Sequence, residues 1–118
     1  NESSGISPGV ARPGVWYTHN DAGGEAVLYP FTLDGAELTP HVVDAPFRDW
    51  EDLATGPCPE GVDGPNGRCI YIGDIGDNSR ARDEIAVHIV PEPTLDGEPL
   101  GELCVSPAPL LDWQSAPW

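Results

Sequence analysis

The chain has 118 residues, with 20 Asp and Glu against 5 basic residues, all of them Arg, for a net charge of -15. Such a surface repels phosphates and anionic lipid headgroups, so nucleic acid and membrane-surface binding are excluded as leading functions and divalent cations become the natural small partners. No apolar run approaches the roughly 20 residues of a membrane-spanning helix, and the opening segment lacks a basic stretch followed by an apolar one. The sequence contains no Met, which is the expectation for a processed chain or a piece of a longer one.

With 39% hydrophobic residues, 14 Gly and 14 Pro, the chain can build a core but must turn often, which favours short strands. Val15-Trp16-Tyr17 is the first clear strand, running into the acidic turn His19-Asn20-Asp21. Val27, Tyr29, Phe31 and Leu33 then alternate with Leu28, Pro30 and Thr32, a strand with one strongly apolar face. Asp34-Gly35 supplies a hairpin turn, and 36–43 reads as the returning strand, with Pro40 pointing to an edge position. Residues 48–54 (RDWEDLA) are expected to form at most a single helical turn before Gly56-Pro57 stops it. Cys58 and Cys69 flank a loop of turn formers with 63–67 (DGPNG) at its tip, which brings the two chain ends together and favours a disulfide; Cys104 is left over. Residues 68–73 and 84–90 read as further strands. No segment carries apolar residues at helical spacing over three turns.

The chain repeats itself. The order ESSGIS, VWYTHND, EAVLYPF is echoed by WEDLAT, CIYIGDIGDN, EIAVHIV, with Glu2, Tyr17 and Glu25 answered by Glu51, Tyr71 and Glu84. Each unit has the anatomy of a four-stranded propeller blade. The stretches NESSGIS, VWYTHNDAGGEAVLY, DGAEL, RDWEDLATGP and YIGDIGDNSRARDEIAVHIVPEP, spanning Glu2 to Pro93, resemble the opening blades of secreted bacterial β-propeller proteins. These in turn are similar, more distantly, to the calcium-dependent regucalcin, SdiA-regulated and phytase-like propellers. The resemblance implies an all-β fold of about two four-stranded antiparallel blades, 1–48 and 49–93, from a larger propeller. Residues 94–118 depart from the pattern and stay unassigned.

The Asn/Asp/Gly turns admit two readings. Strands of neighbouring blades converge on a central channel, where Glu2, Asn20, Asp21, Glu51, Asp74, Asp77 and Asn78 offer the oxygen donors that Ca²⁺ takes in sets of six to eight. Equally, Asp and Asn cap their own backbone in such turns while Gly takes positive φ. Trp16, Tyr17, Trp50 and Tyr71 are expected to pack between blades, and Arg48 to form an ion pair with Asp49 or Glu51. His19 is the only histidine in an acidic turn and hence the only candidate acid/base group, without a recognisable catalytic motif around it. The expected function is an extracellular or periplasmic, cation-assisted binding or scaffold module for a small molecule or protein. A metal-dependent hydrolase of the lactonase or phytase-like kind and a self-associating structural protein are the alternatives.

Overall fold

A computed structural model describes residues 3–20, 25–76 and 82–109. They form nine strands: β1 (Ser3–Pro8), β2 (Val15–Asn20), β3 (Val27–Thr32), β4 (His41–Asp44), β5 (Trp50–Pro57), β6 (Arg68–Asp74), β7 (Glu84–Pro91), β8 (Leu100–Gly101) and β9 (Cys104–Pro109). The first sheet runs β1-β2-β3-β4-β8 and the second β5-β6-β7-β9. Every neighbouring pair is antiparallel except β4 and β8, which meet in parallel at Val43 and Leu100. Among the described residues there is no α-helix, and the one 3-10 turn, Pro65–Gly67, closes the tip of the loop bridged by Cys58–Cys69.

Three local expectations change. RDWEDLA contains no helical turn: Trp50 to Pro57 is strand β5, paired along its length with β6, because strand partners outweigh the weak helical bias of so short a segment. Pro40 marks no sheet edge, since β4 starts at His41 and β8 lies beyond it. In β3 the fully buried residue is Leu28, with Pro30 buried on the same side, whereas Tyr29 and Phe31 are half-buried and Leu33 is exposed in the turn. Alternation located the strand but not its inner face, because both faces of β3 are apolar.

The repeat seen in the sequence returns as a repeat of register. In the first sheet Trp16, Tyr17 and Thr18 of β2 face Phe31, Pro30 and Tyr29 of β3. In the second, Ile70, Tyr71 and Ile72 of β6 face Val90, Ile89 and His88 of β7, the same three steps displaced by 54 and 59 residues. The β1–β2 and β5–β6 ladders also correspond, and each carries a bulge at the same end, between Ser3 and Ile6 and between Trp50 and Asp52.

This correspondence fixes how the sheets stack. Strand alternation puts Ser7, Val15, Tyr17, His19, Leu28 and His41 on the inner face of the first sheet. They meet the front of the second sheet, where Leu53, Thr55, Ile70, Ile72 and Val90 lie, in one core with Trp50 and Leu100. Tyr71 and Ile89, the counterparts of Tyr17 and Pro30, lie on the back of the second sheet, turned away from this core. Non-equivalent faces therefore meet, as in a stack of like units, and not the two equivalent faces that a two-fold sandwich would bring together.

Contact is closest where the first strand of one sheet lies on the first strand of the other. The Thr55 amide donates to Ser7 Oγ at 2.9 Å and the Thr55 hydroxyl to the Pro8 carbonyl at 2.5 Å. A Cβ on Gly5 would stand 2.7 Å from Leu53 N and 2.8 Å from Asp52 Cα, so glycine is what lets β1 reach β5. Trp50, Tyr17, Leu28, Ile70, Ile72 and Leu100 are fully buried at this seam. Each contributes about 1.5–3 kcal/mol by leaving water.

Candidate functional site

The site grows from the end of β6. Asp74 is the last residue of that strand and is buried, although a carboxylate there loses its water. Three groups replace the water. Arg82 Nη1 lies 2.8 Å from Oδ1, the Asp49 amide donates to the same oxygen at 2.9 Å, and His88 Nε2 is 3.1 Å from Oδ2. Beyond the ring, His88 Nδ1 lies 2.5 Å from Glu102 Oε2, so the chain Arg82–Asp74–His88–Glu102 runs from β6 across β7 to the segment entering β9. Arg82 is held in turn by the carbonyls of Gly76 and Glu84, at 3.2 and 3.0 Å. Burial pushes the Asp74 carboxyl up, but the hydrogen bonds from Arg82, His88 and the Asp49 amide outweigh it and leave it below the ordinary carboxylate value.

A pocket of about 360 Å³ opens beside this network. Its walls are Pro46 and Arg48 of the β4–β5 link, the Asp74, Arg82 and His88 chain, and Glu84, Ala86 and Val105. Apolar surface from Pro46, Ala86 and Val105 thus sits next to guanidinium donors and a carboxylate, the mixture that orients a small polar ligand. The expected ion pair of Arg48 is not formed among the described residues: its side chain is exposed beside the pocket.

A second buried polar cluster ties the sheets together at the opposite end of the strands. Glu92 is fully buried, and its Oε1 accepts from the amides of Val10 and Ala11 at 2.5 and 2.8 Å, so a residue just beyond β7 clamps the β1–β2 turn. Arg68 Nε stands 3.9 Å from its other oxygen. Nearby, burial pushes the Tyr17 hydroxyl up to about 12, with the Arg12 charge working against it. His41, buried between Arg12 at 3.5 Å and the Glu98 carbonyl at 2.9 Å, is held below the usual histidine value, first by burial.

Comparison with protein-family models, curated proteins and solved structures finds no match to this chain. The site's meaning rests on its own geometry.

Of the residues expected to hold a cation, Glu2, Asp21, Asp77 and Asn78 lie outside the described residues. Asn20 and Asp74 occupy equivalent positions at the ends of β2 and β6, whereas RDWEDLATG is strand from Trp50 onward. Asn20 donates to the Tyr29 hydroxyl at 3.3 Å, both oxygens of Asp74 face protein groups, and the Glu51 carbonyl accepts from the Ser4 hydroxyl at 3.0 Å. Among the described residues no group of three His, Cys, Asp or Glu side chains is disposed to hold an ion. His19 is buried, accepting from the Gly5 amide through Nε2 at 3.0 Å with Nδ1 2.8 Å from its neighbour's carbonyl, so it serves the seam between the sheets. Tyr17 and Trp50 are core as expected, while Trp16 and Tyr71 are half-buried. The Cys58–Cys69 disulfide is present and compatible with an extracellular or periplasmic location, and Cys104 is free. Sequence reasoning missed His88, Arg82 and Glu102. Alternation along 84–90 places His88 on the same face as Val90, an indication that it needs a buried partner.

Proposed function

We propose that the two sheets are successive β-propeller blades and that the chain serves as a binding or scaffold module, with the pocket beside Arg48, His88 and Val105 as its ligand cleft. The observation that carries this reading is the meeting of non-equivalent faces: a unit whose front receives its predecessor's inner face can be stacked repeatedly, as blades are. The ligand that suits the cleft is a small polar molecule with an apolar edge, since Arg48 and Glu84 offer opposite charges above Pro46, Ala86 and Val105. The buried network behind the cleft is internally paired and acts as a rigid wall.

A disulfide trap tests the stacking. Ser7 Oγ and Thr55 Oγ1 lie 3.1 Å apart across the two sheets. In a Cys104→Ser background, the Ser7→Cys/Thr55→Cys variant should oxidise to an intramolecular bridge without loss of near-ultraviolet circular dichroism; failure to bridge in folded protein contradicts the stacking. The cleft is tested by screening small polar compounds for a rise in melting temperature, with Val105→Trp as the filled-pocket control that should abolish any rise.

The hydrolase reading draws support from the Asp74–His88 pair lining the cleft, but it takes second place because both ring nitrogens already face carboxylates. Cation assistance at the acidic turns remains part of the proposal only for the turns beyond Asn20 and Gly76. A rise in melting temperature with Ca²⁺ relative to EDTA is its test.

A further inference from the structure

The back of the second sheet carries an apolar row, and no described strand packs across it. Ala54, Tyr71, Ile89 and Cys104 form one apolar row over its four strands, and Asp52, Gly73, Val87 and Ser106 form the next, polar at its two outer strands. It is the counterpart of the inner face on which Trp50 is seated in the first sheet. There, the link leaving β4, APFRDW from Ala45 to Trp50, crosses the end of the sheet and sets the indole against it: Trp50 Nε1 donates to the Pro46 carbonyl at 3.0 Å, with the Phe47 ring 5.0 Å and the His19 ring 6.1 Å from the indole. Residues 108–113 read APLLDW. Ala, Pro, Asp and Trp thus recur in the same order and spacing, 63 residues on, beginning with the last two residues of β9, the strand that answers β4. Gly73 stands where His19 stands in the first sheet, so the second sheet lacks the imidazole that faces Trp50.

We propose that the back of the second sheet is the docking surface for the chain from Leu110 onward, with Trp113 seated on it as Trp50 is seated on the first sheet. This rests on the successive-blade reading and extends it: residues 108–113 open a third unit. The apolar row suits an indole, the chain leaves β9 within the repeated motif, two residues later than it leaves β4, and the interface is the one already made between the two sheets, displaced by one unit.

Two native probes test it in the full chain. Trp113→Phe isolates the emission of Trp113 by difference, and Cys104, the one free thiol and a member of the apolar row, reports cover over the face by its rate of reaction with a disulfide reagent. The expected results are a blue-shifted Trp113 component resistant to acrylamide, and a several-fold faster Cys104 reaction in Trp113→Ser with the circular dichroism of the parent. Either a red-shifted, freely quenched Trp113 or an unchanged Cys104 rate overturns the proposal. Protection of Cys104 that grows with protein concentration also overturns it, by assigning the face to a second copy. The bridge in Ser7→Cys/Thr55→Cys judges the stacking of the first two sheets separately, so its formation alongside an exposed Trp113 would fault this inference alone.

Discussion

Asp74 shows what one buried carboxylate does for this fold. It anchors Arg82, His88 and the Asp49 amide at once, so Asp74→Asn takes away the buried charge that the guanidinium and imidazole share. Breaking such a pair costs about 3 kcal/mol, expected as a lower urea midpoint at unchanged slope. Because its folded value is depressed, the stability it supplies is present above the ordinary carboxylate range, near pH 4, and is lost as pH falls through the folded value. Stability should therefore fall as pH drops below about 4, and the part of that slope due to Asp74 should vanish in Asp74→Asn. Tyr17 behaves oppositely in pH. Its value is raised to about 12, so the unfolded chain ionises first and stability falls as pH rises from the ordinary tyrosine range toward that value. Tyrosinate absorbance should show a late component that Tyr17→Phe removes.

At the scale of elements, the seam between β1 and β5 is the most demanding contact. Gly5→Ala forces a methyl onto Leu53 N and the Asp52 backbone, an overpacking that costs about 1–3 kcal/mol and is read from denaturant unfolding. Reduction of Cys58–Cys69, which closes a loop over a sequence separation of 11, should cost about 2–3 kcal/mol and loosen the β5–β6 hairpin. Strands β2, β3, β6 and β7 were legible: Val15–Tyr17, 27–33 with its Asp34-Gly35 turn, 68–73 and 84–90 carry period-2 patterns or turn residues, and the disulfide followed from the loop between its cysteines, whereas β8 and β9 fall in the unassigned 94–118. What was not legible was pairing. Nothing in RDWEDLA marks it as a strand until β6 lies beside it, and nothing in Leu100-Gly101 announces that it leaves the second unit to join β4 of the first. The polar network escaped notice for the same reason, since Asp74, Arg82, His88 and Glu102 become neighbours only through the register of β6, β7 and β9.

For the whole molecule, the internal repeat carries more than any single motif. Offsets between Tyr17 and Tyr71 and between Glu25 and Glu84 proved to be register offsets, and through them the sequence identifies which faces correspond. The stacking direction is then a matter of geometry that no composition reveals. Its most direct test is a nuclear Overhauser spectrum of the folded chain. Stacking of unlike faces predicts cross-peaks between Ser7 and Thr55 and between the Gly5 α-protons and the Leu53 amide, with none between the rings of Tyr17 and Tyr71. Cross-peaks joining Tyr17 to Tyr71 would place equivalent faces together and contradict it.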